Sequence, residues 1–486
     1  MRASNLWILT EERPKDNILR TIIEKFALDN RIGIFISNFH IIPIIDRCNG
    51  NFTFCYQILG TCSPFIWNIY IINVSGSSSF VDFLIFFQNS RPNPLTDIPL
   101  YIIEETKTDD SESRNTGIYQ RASKFVYASS IFPNARKIMF YSLQISQKDT
   151  LTQTNIFGTR CLMTLGVEIL GKRLDENLCP FYSIEELIAF KENMRKAPKN
   201  NTPINIVQYN NKITISGRLS KNNSLSHDPN IGALSLISAT IRKLGYLGKV
   251  EIISHDLSQE YIKNDNKFIR VANILNIQLE NLTIPRVLPD RNDYWHYESS
   301  GEKLATIFLH LVIEHFTTAK SIYENHAGCE RGYFFTPTGE PVAVKKYEDR
   351  DRYKSGDKSA KIAIPDLVIS DIDRSEIINI ESKQFIKVNI GIEELNNFDA
   401  FEQMYIRNYY PNARIIRSLV LFGSSKTEIS EVSFPKLSQC DLVKIGFVLN
   451  ENGKMILQTH SPEIFKEALR NLYSFYGLNF LDTFAT

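Results

Sequence analysis

The sequence predicts an α/β chain in which two mixed β-sheet cores, each flanked by helices, are separated by a mainly helical, basic region. Three observations predict it. Two pairs of apolar runs, 81–87 with 100–107 and 361–370 with 376–386, have the length and bounding turns of strands. Helical apolar spacing precedes each pair, at 15–28 and at 299–316. Positive charge gathers between them: from Lys191 to Lys249, ten Lys/Arg stand against two acids, Glu192 and Asp228, in a chain whose formal net charge is +1. The expected domains are 1–175, 176–290 and 291–486.

In the first region Ile18, Ile22, Ile23 and Phe26 mark one face of a helix. Apolar segments at 34–45, 53–58 and 66–73 follow. The two strand runs are joined by a polar turn at 88–99 that holds three prolines. The middle region shows helical spacing at 231–244, closed by Gly245, a short strand at 250–253 and a further helix at 267–275. Helices on a basic background suit a DNA-reading module. In the third region Leu304, Ile307, Phe308, Leu311, Val312 and His315 line one helix face. A polar loop at 340–359, two strands, a helix at 393–407 and a strand at 418–422 complete the pattern.

Several classes are excluded. Near-neutral charge rules out a uniformly basic nucleic-acid coat, though not a local patch. The seven cysteines (48, 55, 62, 161, 179, 329 and 440) include no C-x-x-C pair, which argues against a zinc ribbon or a disulfide framework and for reduced thiols in a cytoplasmic protein. No apolar stretch reaches the roughly 18 residues of a membrane span, so no membrane partner is expected. The eight histidines show neither H-E-x-x-H nor H-x-H spacing, and His310 and His315 read as packing residues. Tyr294-Trp295-His296-Tyr297 reads as packing rather than as a base-stacking platform. The phosphate-cradling G-x-x-x-x-G-K-[ST] loop is absent, so ATP-driven translocation is not supported.

The chemistry lies in Ile364-Pro365-Asp366-Leu367-Val368-Ile369 and Ile377-Ile378-Asn379-Ile380-Glu381-Ser382-Lys383. These runs read as a hairpin. Strand period two puts Glu381 and Lys383 on one face, and Asp366 on the adjoining strand reaches the same face. Charges inside apolar strands are costly unless compensated, and a divalent cation between two carboxylates compensates them. Phosphodiester hydrolysis uses this set: a hard cation, its carboxylates, and an ammonium at the reacting phosphate.

Segment 299–423 resembles the core of the PD-(D/E)xK nuclease superfamily, to which most type II restriction endonucleases belong. The resemblance implies a restriction-endonuclease-like fold, with Mg2+ held by Asp366 and Glu381, Lys383 as the catalytic lysine, Glu302 as a helix glutamate beside the site, and Gln384 following the lysine. A second copy of the pattern stands in the first region: Asp82 in 81–87, then Glu105 and Lys107 at the end of 101–107. Asp82 and Glu105 would bind metal there, Gln120 and Arg121 would face the scissile phosphate, and Glu24 would parallel Glu302. Two sites in one chain resemble type IIS restriction enzymes that cut each strand of an asymmetric target with its own domain. This implies double-stranded DNA as substrate and a DNA methyltransferase of the same system. Two alternatives stay open: a homodimeric nuclease with one active domain, and a non-cleaving DNA-binding or repair accessory protein.

Overall fold

The structure is a computed structural model. It describes residues 2–13, 15–48, 51–77, 80–106, 117–141, 153–171, 178–195, 204–217, 229–254, 266–287, 291–292, 294–325, 332–423, 442–449, 455–457 and 461–475. The chain is mixed α/β, and it divides into two compact units rather than three consecutive regions. One unit comprises Met1–Ala3, Glu11–Asn73 and Tyr297–Thr486; the other comprises Ser4–Thr10 and Val74–His296. The chain interleaves because its first strand, Ser4–Thr10, pairs antiparallel with Phe83–Gln88 and buries Leu6, Ile8 and Leu9, whereas the helix Asp16–Asn30 falls in the other unit.

The unit containing the C-terminal residues is organised on a six-stranded sheet. Its order is Lys320–Glu324, Leu367–Asp371, Glu376–Gln384, Arg414–Phe422, Leu442–Leu449, Met455–Leu457. The first three strands are antiparallel neighbours, the next two pairings are parallel, and the last is antiparallel. The helix Gly301–Phe316 lays Leu304, Ile307, Phe308, Leu311 and Val312 into the core against the central strands. A parallel pair needs a crossover. Here it starts with the helix Val388–Asn396, whose Ile392 and Leu395 pack on Leu419 and Leu421.

The sequence pattern predicts one continuous helix at 393–407. The structure ends the first helix at Asn396, resumes it at Asp399–Phe401 and widens it there into a π-helix, Glu402–Ile406. That turn carries Glu402 inward to Arg417. Arg417 is 1% exposed and donates from Nε and Nη2 to the two carboxylate oxygens of Glu402, each at 2.8 Å. It also donates from Nη1 to the Leu395 carbonyl at 2.8 Å and pairs with Asp399. Asn379, on the strand Glu376–Gln384, donates to Glu402 at 2.6 Å.

The second unit repeats the central logic. Its sheet runs Ser4–Thr10, Phe83–Gln88, Tyr101–Thr106, Arg136–Tyr141, Val167–Leu170, with antiparallel, antiparallel, parallel and parallel pairings. This is the same succession as in the first five strands of the other unit. The helix Gly117–Ile131 is the crossover between Tyr101–Thr106 and Arg136–Tyr141. Tyr294 and Trp295 are fully buried here, against Phe80, Tyr127 and Phe132, and against Phe86, respectively.

The stretch expected to be mainly helical carries a four-stranded sheet as well: Ile277–Leu279, Lys249–Ser254, Lys212–Gly217, Asn205–Tyr209. Ile213, Ile215, Val250, Ile252, Ile277 and Leu279 alternate and are buried. The strands are three to six residues long, too short for their period to stand out from the helical spacing between them. No described helix is long and apolar enough to cross a membrane.

Candidate functional site

Asp366 occupies a bend immediately before the strand Leu367–Asp371. Its position is fixed through the backbone on both sides: its N–H donates to the Ile380 carbonyl at 3.0 Å and its carbonyl accepts from the Asn325 N–H at 2.8 Å. Leu367 pairs with Ile380, so the next residue along the partner strand, Glu381, lies beside Asp366. The Asp366 carboxylate also accepts the Ser382 N–H at 2.9 Å. Strand alternation carries Lys383 to the face of Glu381, and the two form an ion pair. The structure therefore brings Asp366, Glu381 and Lys383 together.

The electrostatics are strained in the direction of a cation site. Glu381 is 5% exposed. Burial, and then the neighbouring Asp366 carboxylate, push its pKa up to about 9. Burial pushes Asp366 up to about 6, and the residue is half-buried. For Lys383 burial opposes the charge, but the Glu381, Glu394 and Asp366 carboxylates outweigh it and raise the pKa above the usual lysine range. One ammonium is thus too little to keep Glu381 ionised at neutral pH, and two adjoining carboxylates with hard oxygen donors fit Mg2+.

Three further residues complete the surroundings. Glu302, on the first turn of Gly301–Phe316, accepts the Gln384 N–H at 2.8 Å and pairs with Lys387 at 3.5 Å, so the predicted helix glutamate stands at the end of the site strand. Glu394, which sequence reasoning missed, pairs with Lys383 at 2.7 Å from the crossover helix. Adjacent glutamates at 393 and 394 gave no signal for which one turns inward. Gly391 lets that helix lie close: a Cβ there would meet Leu419 Cδ1 at 2.6 Å and Lys383 Cγ at 3.0 Å.

The second predicted cluster is present with a changed membership. Asp82 again occupies a bend before a strand, Phe83–Gln88, and Phe83 pairs with Ile103. Beside Asp82 therefore stands Glu104, not Glu105. The Glu104 carboxylate accepts the Asp82 N–H at 3.2 Å, and the Asp82 carboxylate accepts the Glu105 N–H at 2.6 Å. Glu104 is fully buried, and burial, then Asp82, push its pKa up to about 7. Lys124 of the crossover helix lies 2.8 Å from Glu104 and 3.6 Å from Asp82. Arg121 lies 3.5 Å from Glu104 and also donates to the Glu105 carbonyl. The expectation that Glu105 shares a face with Asp82 fails by one residue of register, which reverses the face of every side chain in a strand. Lys107 and the side chain of Gln120 lie outside the described residues. Glu24 is exposed and pairs with Arg20 at 3.9 Å, a solvated helix-surface contact.

Of the basic stretch, several described side chains serve the unit's own architecture. Arg242 donates to the carbonyls of Leu275, Tyr246, Gly248 and Asn276. Lys212 and Lys249 both pair with Glu251, an acid two residues beyond the basic stretch that ends at Lys249. Lys191 is 2% exposed, and burial lowers its pKa to about 8. His310 is fully buried between Glu314, 3.1 Å away, and Glu324, 3.5 Å away. His315 lies 3.7 Å from Asp16. Both histidines pack rather than join the Asp366 cluster. No family model, curated protein or solved structure matches the chain.

Proposed function

We propose that this protein is a Mg2+-dependent endonuclease of the restriction type acting on double-stranded DNA, with Asp366, Glu381 and Lys383 as its hydrolytic centre. The observation that carries the reading is the pair of adjoining carboxylates at the open end of an apolar hairpin, flanked by an ammonium. Asp366 and Glu381 would hold the cation; when bound, it would neutralise charge on the scissile phosphate and make water a better nucleophile. Lys383 presents a permanent positive charge toward the phosphate oxygens, where negative charge develops as water attacks. Glu394 positions that ammonium, and the Ser382 N–H fixes the orientation of Asp366. A nuclease of this type requires a methyltransferase that protects the same sequence in its own genome.

The test is direct. Purified protein is incubated with plasmid and phage duplex DNA in Mg2+, and the ends are mapped by run-off sequencing. The reading expects discrete fragments at one short sequence, abolished by EDTA. Salt-sensitive binding without Mg2+-dependent scission of any duplex would sink it.

A further inference from the structure

The mechanism above uses one carboxylate pair, but the second unit holds another in the same backbone frame. In each unit an aspartate, Asp366 or Asp82, sits in the bend before a strand. The first residue of that strand pairs with an isoleucine, Ile380 or Ile103, and the next residue on the partner strand is a glutamate, Glu381 or Glu104. The residue after that glutamate gives its N–H to the aspartate carboxylate, from Ser382 at 2.9 Å and from Glu105 at 2.6 Å. The glutamate strand then pairs in parallel with the strand beyond a helical crossover, Glu381 with Leu419 and Glu104 with Met139.

Carrying this register one step further exposes the difference. Lys383 corresponds to Thr106, which carries no charge. The ammonium comes instead from Lys124 of the crossover helix Gly117–Ile131, within reach of both Glu104 and Asp82. In the first centre the strand supplies the lysine and the crossover helix a glutamate, Glu394. In the second the helix supplies the lysine. The side chains of Asp82 and Lys124 are 26% and 21% exposed, so solvent reaches these two members of the cluster, while Glu104 is fully buried behind them.

We infer that Asp82, Glu104 and Lys124 form a second phosphodiester-hydrolysing centre, its lysine delivered from the crossover helix, which cuts the DNA strand that the Asp366 centre does not. The inference rests on the nuclease reading of the Asp366 centre. In the step, the oxygen of a water forms a bond to phosphorus as the P–O3′ bond breaks. The electron pair of that bond stays on O3′, one proton of the water passes through solvent to O3′, and the products are a 5′-phosphate and a 3′-hydroxyl. Asp82 and Glu104 would hold a divalent cation, Lys124 would face the developing charge, and Arg121 would extend the positive surface toward the phosphate.

Two measurements on the full chain test this. In the first, Mn2+ binding is counted by equilibrium dialysis. The Asp82→Asn/Glu104→Gln variant is expected to lose the same number of ions as Asp366→Asn/Glu381→Gln; a wild-type count in the former overturns the inference, whether or not the protein cuts DNA. In the second, a supercoiled plasmid with one mapped target is digested by Lys124→Gln and, as the gentler change, Asp82→Asn. Both are expected to accumulate open circles and to linearise roughly a hundredfold more slowly than wild type, while Lys107→Ala linearises normally. Linearisation at the wild-type rate by Lys124→Gln, or arrest by Lys107→Ala, overturns the assignment of the lysine. Failure of the wild-type protein to cut at all is a failure of the Asp366 reading, and the Mn2+ count then decides this one.

Discussion

Lys383→Ala is expected to slow scission of one DNA strand by roughly two to three orders of magnitude, the usual loss when a positioned charge or donor is removed from a developing oxyanion. The loss should appear in the single-turnover rate, with DNA affinity little changed, because the ammonium is held in the site by Glu381 and Glu394 before any substrate arrives. Folding should survive. With Lys383 gone, Glu381 keeps its proton to still higher pH, since burial and Asp366 already raise its pKa to about 9. Lys383→Arg retains the charge and should recover part of the rate. Scission by Lys383→Ala at the wild-type rate would remove the lysine from the mechanism.

Arg417→Ala is expected to cost about 3–5 kcal/mol of stability, because it strands a buried carboxylate. Glu402 is 4% exposed and has its two oxygens engaged by Arg417 and Asn379. The network ties the crossover to both strands that carry or flank the site. Replacing both charges with apolar groups of similar volume should recover much of the loss, since no unpaired ion remains. Urea unfolding of Arg417→Ala and of Arg417→Met/Glu402→Met makes the comparison. A single-variant loss below about 1 kcal/mol, the worth of an exposed pair, would mean that Glu402 finds solvent.

The first centre was legible in the sequence because its signals are local. Pro365-Asp366 marks the bend, period two aligns Glu381 with Lys383, and the short turn of the hairpin limits the register. The second was legible only in part. Tyr101, Ile102 and Ile103 are all buried, so alternation does not choose a face. The twelve-residue connection at 88–99 does not fix the register, and Glu104-Glu105 offers an acid for either phase. Lys124 reaches the site across the crossover and Glu394 does the same in the other unit, contacts that no local spacing encodes. Arg417 and Glu402 meet between the strand Arg414–Phe422 and the crossover, another contact that no local spacing encodes. The middle sheet was missed because its strands are short, and the interleaved units because the pairing of residues 4–10 with 83–88 is distant along the chain.

Fe2+-directed peptide scission would test the central claim most directly. Fe2+ accepts oxygen ligands, and with ascorbate and peroxide it cleaves the backbone where it is bound. Cuts are predicted beside residues 366 and 381, suppressed by excess Mg2+ and absent from Asp366→Asn/Glu381→Gln. Cuts confined to other parts of the unit, or unchanged in that variant, would contradict a cation held between Asp366 and Glu381.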